Sequence, residues 1–245
     1  MKKVILSMTL PLLLLGCSKY EEINQGIKLS KTNYELNFEQ TSQIEAISAS
    51  EIVYTPESEY VAEVSPTGLI TGGRVGKTKI NLNNEFETKS IDVTIVPKYN
   101  IFPEPIEKVG IGATKNDMIK AFGTPSFESN GGIAMYDDYF SPYIYMFILD
   151  SENRIEAMAI AIETLRIPSN LVDFLNERYM PIRMSNDYAA IFRDKNETMN
   201  VVVMPSDDNL NLFIMYTPYL VTRSLQRKDV MRNVEKSLKL MNYSN

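Results

Sequence analysis

The sequence predicts two folded domains in series, an all-β sandwich followed by an α+β domain. Residues 27–96 hold short strand-like segments separated by turn residues, which is typical of a β-sandwich. Three prolines then fall within residues 97–106, and they predict a linker because proline fixes φ and stiffens the chain. Beyond the linker, a helix followed by three strands is predicted twice, at a spacing of about 55 residues. We therefore expect two tandem α-β-β-β repeats with an antiparallel sheet, and then a C-terminal helix. This second domain covers residues 107–221, with repeats at about 112–163 and 167–217, and the C-terminal amphipathic helix covers residues 222–245.

The chain opens with the layout of a secretory signal peptide. Lys2 and Lys3 form a positive start, and the uncharged apolar run 4–15 is shorter than the roughly 20 residues of a membrane-spanning helix. The run closes with Leu14-Leu15-Gly16-Cys17, which resembles the lipobox of bacterial lipoproteins. That resemblance implies that Cys17 is lipidated and becomes the mature N-terminus of an outer-membrane lipoprotein in the cell envelope, on the periplasmic or the surface face. An ordinary signal peptide and a frayed apolar N-terminus are the alternatives.

Residues 18–26 are polar and predict a tether between the lipid and the first domain. Lys19, Glu21 and Glu22 resemble the acidic surface-export signal of Bacteroidetes lipoproteins, although Tyr20 interrupts it. A solvated linker is the alternative interpretation.

Composition limits the chemistry that the chain can perform. It has no histidine, and Cys17 is its only cysteine. Histidine is the usual general base near neutral pH and the commonest metal ligand, so zinc sites, Cys-His pairs and Ser-His-Asp triads are excluded. The net charge of −6 and the predicted export argue against a nucleic-acid partner. We expect no enzymatic activity, no cofactor and no metal, a protein or glycan partner, and contact with the membrane through the lipid.

Residues 27–96 carry a specific motif. A valine-alanine-x-valine strand is followed by a glycine turn, an apolar pair and then Gly-x-Thr-x-Ile. The matching residues are Val61, Ala62, Val64, Gly68, Leu69, Ile70, Gly76, Thr78 and Ile80. This order resembles the second group of bacterial immunoglobulin-like domains (Big2), which implies a sandwich that acts as a spacer or an adhesive domain. The tryptophan-serine-serine that usually precedes the motif is absent, and the Tyr54 region stands in its place.

The first repeat begins with helix signals. Thr114 is a good N-cap, and Asp117 holds the capping-box position three residues later. Gly123 ends the helix, and Pro125 stops it from restarting. Strands are predicted at 133–136, 143–149 and 155–162, the last with Ile155, Ala157, Ala159 and Ala161 on one face.

The second repeat is predicted in the same order. Ser169 is expected to cap a helix whose apolar residues extend to Tyr179. Strands are predicted at 188–192, 200–204 and 210–216, with a polar turn before the last.

The first repeat also has a recognisable pattern, Gly112-x-Thr114, Met118-Ile119 and Phe122-Gly123-x-Pro125. It resembles the small outer-membrane-assembly lipoproteins and the related β-lactamase-inhibitor-protein-like domains. In that family a helical start packs on an antiparallel sheet, and the inhibitor-like members carry two tandem copies. The resemblance implies protein binding rather than catalysis, and it assigns no site residue.

The predicted C-terminal helix is amphipathic. Its apolar stripe consists of Met231, Val234, Leu238 and Met241. The rest of the segment is mainly basic. Such a helix either packs its stripe on its own domain or lies on an anionic surface.

Aromatic residues are densest between residues 136 and 147. Tyr143, Tyr145 and Phe147 alternate with Ile144, Met146 and Ile148, so one set is expected in the core and the other either under a helix or exposed for recognition. Tyr139 and Phe140 fall in a predicted loop. The candidate partner contacts are therefore Tyr139, Phe140 and Tyr143.

The acidic pairs Asp137-Asp138 and Asp207-Asp208 are candidates for calcium or glycosidase chemistry. Turns favour Asp for conformational reasons, so we assign no metal ligand and no catalytic residue. The sequence therefore predicts a lipid-anchored, non-catalytic adhesion or binding module. A periplasm-facing assembly or inhibitor-like factor and a carboxylate-dependent hydrolase are the alternatives.

Overall fold

The protein is mostly β-sheet, which confirms the expected β-rich fold. The computed structural model describes residues 26–129, 132–137, 142–184 and 190–219. The predicted signal peptide, the lipidation site Cys17, nearly all of the tether and the C-terminal helix lie outside these residues.

The N-terminal part, residues 26–96, folds around one apolar core. Its strands are β1 (Lys28–Leu29), β2 (Asn33–Leu36), β3 (Thr41–Gln43), β4 (Ala46–Ile47), β5 (Val53–Pro56), β6 (Ala62–Val64), β7 (Leu69–Gly72), β8 (Gly76–Asn83) and β9 (Thr88–Ile95). One sheet has the order β2-β9-β8-β5, a second has β3-β7-β6, and β1 pairs with β4. Strand β2 runs parallel to β9, and the other pairings are antiparallel.

Alternation along the long strands builds this core. In β8, Thr78, Ile80 and Leu82 are buried while their neighbours are more exposed, as expected of strands with one face on a core. Tyr54 packs its ring against Gly68. A Cβ atom on Gly68 would lie 2.9 Å from that ring, and the residue has a φ of 80°. Glycine is therefore required in this turn.

The C-terminal part, residues 97–219, is built on one eight-stranded antiparallel sheet. Its helices are α1 (Lys115–Phe122) and α2 (Leu171–Asn176), with short 3-10 helices at Pro105–Glu107 and Thr164–Arg166. Its strands are β10 (Phe127–Glu128), β11 (Ile133–Asp137), β12 (Tyr143–Leu149), β13 (Ile155–Glu163), β14 (Met180–Met184), β15 (Ala190–Arg193), β16 (Met199–Pro205) and β17 (Asn211–Pro218). The strand order is β10-β11-β12-β13-β17-β16-β15-β14.

The start of α1 is as predicted, whereas the start of α2 is not. Thr114 and Asp117 form a complete capping box, and Gly123 follows the helix with a φ of 85°. The prediction that Ser169 caps α2 is wrong, because Asn170 is the N-cap and makes no side-chain cap hydrogen bond. A turn in which the Leu171 N–H donates to the Pro168 carbonyl displaces the helix start by one residue.

The predicted face of β13 is also wrong at one residue. Ala157, Ala159 and Ala161 share a face, but Ile155 lies on the opposite one. The pairing register with β12 shifts at this point, so that Glu156 is an extra residue and forms a β-bulge. A one-residue shift reverses the side chain because strands have a period of two.

The edges of the sheet contain two strands that the sequence did not predict, β10 and β14. Strand β14 contains Pro181, which has no backbone N–H to donate. An edge position tolerates this loss, since one side of the strand has no neighbour.

Each face of the sheet has its own apolar cluster. The helix-side cluster joins α1 and α2 to the sheet and includes Met118, Phe147, Phe174 and Tyr216. The far-side cluster lies on the opposite face and includes the three alanines of β13. Within the described residues, no helix is long and apolar enough to cross a bilayer.

The proline-containing segment 97–106 packs into the helix-side cluster. Phe102 is 2% exposed and its ring lies 4.7 Å from that of Phe174. Glu104 is also buried. The segment thereby contributes directly to the core of the C-terminal part.

Candidate functional site

An aromatic pocket opens beside the C-terminal end of α1. It has a volume of about 530 Å³. Its walls come from three regions, namely the segment 97–108, the end of α1 with the turn after it, and strands β11 and β12. The lining residues are Pro103, Lys108, Phe122, Thr124, Ser126, Tyr136, Asp137, Tyr143 and Tyr145. We call this cavity the aromatic pocket.

Strand alternation brings the tyrosines of this pocket to one face. Tyr143, Tyr145 and Phe147 are two residues apart along β12 and all pack with the helix-side cluster. Tyr136 is the direct partner of Tyr145 on the neighbouring strand β11. Phe122, at the end of α1, lies over them, with ring centroids 5.6 Å from Tyr136 and 4.9 Å from Phe147.

Backbone carbonyls hold two of these rings in place. The Tyr136 hydroxyl donates to the Gly123 carbonyl at 2.9 Å, and the Tyr145 hydroxyl donates to the Pro103 carbonyl at 3.0 Å. Both rings are thus fixed before any ligand arrives. A fixed ring loses little conformational entropy on binding, which favours affinity.

The rim of the pocket is more polar than its wall. The Lys108 ammonium lies 5.0 Å from the centroid of the Phe122 ring, within the range of a cation–π contact. Asp137 is exposed at the end of β11. Tyr143 is half-buried, and its ring meets the edge of Phe102 at 5.4 Å.

Burial raises the pKa of all three tyrosine hydroxyls of this pocket. It raises the pKa of the Tyr145 hydroxyl to about 12, with a smaller contribution from Tyr143. The pKa of the Tyr143 hydroxyl is raised by burial alone. Burial also raises the pKa of Tyr136, and the nearby Glu128 carboxylate adds to the effect. The phenols of the pocket are therefore uncharged at neutral pH, as tyrosine already is at its ordinary pKa of about 10.

Of the predicted partner contacts, Tyr143 lies in the wall of the pocket. Tyr139 and Phe140 lie outside the described residues, in the stretch of sequence that joins the lining residues Asp137 and Tyr143. Sequence reasoning missed the contributions of Pro103 and Lys108. No local signal marks them, because they meet β12 only through tertiary packing.

The predicted alternatives for the two faces of β12 are resolved by the structure. The tyrosine face packs under the helices, and it changes from half-buried at Tyr143 to fully buried at Phe147. The opposite face, with Met146 and Ile148, belongs to the far-side cluster. The aromatic face is thus core at one end and pocket at the other.

The acidic pairs do not converge on a metal site in the part of the chain that is described. No group of three or more Asp, Glu, His or Cys side chains is placed there to hold an ion. The Asp208 carboxylate accepts from the Ser206 hydroxyl at 2.6 Å and from the Leu210 N–H at 3.1 Å. Asp208 therefore stabilises the turn before β17.

A buried glutamate–arginine network includes Glu104, the residue that follows the pocket residue Pro103 in the chain. One Glu104 carboxylate oxygen accepts from the hydroxyls of Tyr179 and Tyr216, each at 2.8 Å. The other lies 3.2 Å from Nε of Arg178, whose Nη atom is paired with Glu177. Burial raises the pKa of Glu104, although the two tyrosine hydroxyls and Arg178 oppose that shift.

The same network connects the two parts of the chain. The Glu177 carboxylate accepts from the N–H groups of Lys98 and Tyr99, at 2.9 and 3.1 Å. The Glu177 carbonyl accepts from the N–H of Val75 at 2.7 Å. The Tyr60 hydroxyl donates to the Arg178 carbonyl at 2.6 Å. These bonds join the N-terminal part to the end of α2.

We expect Glu104→Gln to flatten the dependence of stability on pH. The folded protein binds a proton at Glu104 more tightly than the unfolded chain, since the folded pKa is raised above 4.5. The resulting stability is present below that ordinary value and is lost as pH rises through the raised one, with a slope of up to about 1.4 kcal/mol per pH unit. Urea unfolding, repeated at a series of pH values from acidic to neutral, measures the slope. The exposed carboxylate variant Glu163→Gln should retain the wild-type slope. An unchanged slope in Glu104→Gln would contradict the assignment.

Comparisons with known proteins show only distant similarity. No protein-family model matches the chain, and no curated protein matches it. A DUF4309 family protein (YjgB) from Bacillus subtilis aligns with 13% identity over 47% of this chain and 86% of that chain, with a TM-score of 0.33. Domains 5–6 of the S-layer protein SbsC align with 12% identity over 79% of this chain and 83% of that chain, with a TM-score of 0.25. Similarities this low assign neither fold nor function.

Proposed function

We propose that this chain is a lipid-anchored, non-catalytic binding protein of the cell envelope and that the aromatic pocket is its recognition site for a protein or a glycan. The observation that carries the proposal is a row of three half-buried tyrosines lining a concave site, two of which, Tyr136 and Tyr145, are fixed by hydrogen bonds to backbone carbonyls. Concave sites with mainly apolar walls and a few polar groups are the usual binding sites of proteins.

The chemistry of the pocket suits recognition. Tyrosine offers a large rigid surface with a polar tip, which is why it is enriched in interface cores. The exposed Asp137 and Lys108 at the rim supply one charge of each sign. They can orient the hydroxyl groups of a sugar or the polar groups of a peptide while the rings contact its apolar face. The composition, without histidine, supports binding over catalysis.

The finer fold assignment follows from the same resemblances. The Big2-like motif residues Val61, Ile70 and Ile80 all lie in the N-terminal core, which supports an immunoglobulin-like sandwich. In the C-terminal part, the proposed repeats supply the strands β11-β12-β13 and β15-β16-β17. The last strands of the two repeats, β13 and β17, pair at the centre of the sheet, and the other strands follow outward in the same order on each side. Asn153 and Asn209 occupy equivalent turns with φ of 56° and 58°. Both features support two tandem α-β-β-β repeats.

The alternative role is a periplasm-facing assembly or inhibitor-like factor. The continuous eight-stranded antiparallel sheet favours it, because two tandem copies on one sheet are what the inhibitor-like resemblance implies. Protease treatment of intact cells separates the two roles. Loss of the protein supports a surface adhesion module, and full protection supports a periplasm-facing factor.

We expect Tyr143→Ala to weaken binding about tenfold or more, as removal of a hot-spot aromatic does. Detergent-solubilised envelopes of the source bacterium are passed over the immobilised chain, and the retained protein and carbohydrate are quantified separately. Stability should decrease by no more than about 1.5 kcal/mol, because the ring is half-buried and contributes an edge contact with Phe102.

Two matched variants serve as controls for the Tyr143→Ala experiment. Tyr143→Phe keeps the ring and should retain most of the binding. Leu165→Ala removes an apolar side chain that is 99% exposed and outside the pocket, and it should bind like the wild type. Equal retention by Tyr143→Ala and the wild type would exclude the pocket as the site, and no retention by the wild type would exclude the binding function.

Anchoring is tested at Cys17. Cells fed an alkyne analogue of palmitate should label the wild-type chain, and Cys17→Ala should lose all labelling, since this is the only cysteine. Each methylene of the lipid that enters the bilayer contributes about 0.8 kcal/mol to membrane binding. Without the lipid, the variant should no longer be found in the membrane fraction as a chain from which the signal peptide has been removed. Ser18→Ala is the control and should label normally. Labelling of Cys17→Ala would contradict lipidation at this residue.

A further inference from the structure

The far-side cluster is buried, although none of its apolar neighbours belongs to a described helix. It contains ten buried residues of the sheet. Met146, Ala159 and Phe213 within it are each 0% exposed. A sheet face in contact with water would leave such side chains partly exposed. Another layer therefore lies on this face.

The described helices supply no apolar side chain to that layer. Both α-helices and the segment 97–106 pack on the helix-side cluster. The apolar side chains packed against the far-side cluster are Phe127, Ile144 and Met204, and all three belong to strands of the same sheet. Among the described residues, therefore, no apolar side chain from a second layer packs on this face.

The shape of the face indicates what covers it. Ala157, Ala159 and Ala161 form a line of small side chains along β13, at the centre of the sheet. Ala159 is directly paired with Met146 on one side and with Met215 on the other. The alanines therefore form the floor of a trough with larger side chains as its walls. Over four residues of strand, this trough is about 14 Å long.

The segment 220–245 has a matching apolar stripe. It follows directly on β17, the strand next to β13. In the helix that its periodicity predicts, Met231 and Met241 lie about 15 Å apart along the axis, at 1.5 Å per residue. Large side chains on this stripe would complement the small ones in the trough. Residues 18–25, by comparison, hold only Tyr20 and Ile23 as large apolar side chains.

We propose that residues 220–245 fold back and seat the stripe of Met231, Val234, Leu238 and Met241 in the alanine trough of β13. The segment then completes the C-terminal part as a sheet covered on both faces. Its basic side chains form the outer surface on that side, and the stripe is withheld from any membrane. Recognition of a partner is left to the pocket side of the sheet.

The test uses thiol protection in the chain from residue 18 onward, which retains every described residue and has no cysteine. Ala159→Cys reports on the far-side cluster. Ala134→Cys is the matched control, an equally buried alanine in the helix-side cluster. Each is placed in a chain ending at residue 245 and in one ending at residue 219, and labelling by a maleimide is timed under native conditions.

We expect the Ala159→Cys thiol to label more than about a hundredfold faster in the shortened chain, since in the full chain labelling must wait for local opening. The Ala134→Cys thiol should remain slow in both lengths. Slow labelling of Ala159→Cys in a monomeric shortened chain would overturn the proposal. Light scattering on the full-length chain gives its oligomeric state. A dimer would mean that a second copy covers this face, and that result would also overturn the proposal.

If removal of residues 220–245 unfolds the sheet, both thiols will become reactive together. In that case, substitutions in the full-length chain test the proposal. Val234→Asp with Leu238→Asp should expose the Ala159→Cys thiol while the Ala134→Cys thiol stays protected. Lys236→Asp with Lys239→Asp, outside the apolar stripe, should expose neither. Protection of Ala159→Cys in the Val234→Asp, Leu238→Asp chain would show that the stripe is not the cover.

Discussion

Replacing Arg178 with alanine should lower the free energy of unfolding by about 3–5 kcal/mol, because it leaves two buried carboxylates without their cation. The side chains of Glu104 and Glu177 are only 5% and 1% exposed. The guanidinium also donates to the carbonyls of Tyr99 and Phe174, so the variant loses hydrogen bonds in addition to charge. Urea unfolding at neutral pH, followed by circular dichroism, measures the loss.

A surface ion pair provides the control for this prediction. Arg166 lies 3.2 Å from Glu163, with both side chains more than half exposed. Arg166→Ala should therefore cost no more than about 1 kcal/mol. Arg178→Lys should fall between the two, since a single ammonium cannot make all the contacts of the guanidinium. A cost for Arg178→Ala as small as that for Arg166→Ala would show that the network does not depend on this charge.

The same variant should also affect binding. Arg178 holds Glu104, which lies next to the pocket residue Pro103, and the Tyr145 hydroxyl is bonded to the Pro103 carbonyl. Loss of the network therefore loosens one wall of the aromatic pocket. Weaker retention of the envelope partner is expected from Arg178→Ala even at temperatures where the variant remains folded.

Phe147→Ala is expected to cost about 3–5 kcal/mol, the usual range for removing a fully buried phenylalanine. The ring is 0% exposed and lies 4.9 Å from Phe122 and 5.6 Å from Tyr136. Its loss leaves a cavity beneath the aromatic pocket. Chemical denaturation measures the stability, and the envelope-retention assay measures the effect on binding.

Matched variants separate packing from other causes. Phe147→Leu fills most of the volume and should cost less than Phe147→Ala. Phe86 is 53% exposed, and Phe86→Ala should change stability by only about 0.5 kcal/mol. A cost near zero for Phe147→Ala would mean that neighbouring side chains collapse into the space, and the pocket would then have no rigid floor.

Local patterns predicted several elements correctly. The capping box of Thr114 and Asp117 involves residues three positions apart, so the sequence contains all the information that it needs. The strands β8, β12 and β17 follow from alternation or from an apolar run, which are also local features.

Features that depend on pairing were not predictable in this way. The bulge at Glu156 reverses Ile155, and it is visible only in the register between β12 and β13. The ion pair of Glu104 with Arg178 joins residues that are far apart in sequence. The proline-containing segment 97–106 has the composition of a linker, but it packs in the core because Phe102 finds a place against Phe174.

The amino-acid sequence by itself determined the β-rich fold class and the start of α1, since these depend on local periodicity and on residues close together in the chain. The tertiary structure alone decided that Tyr136, Tyr145, Phe122 and Pro103 meet in one pocket. It also decided that Glu104, the residue after Pro103, and Glu177 pair with Arg178 in a buried charge network. Both results depend on which distant segments pack together, and packing is set by the shape and register of the whole sheet rather than by any short stretch of the chain.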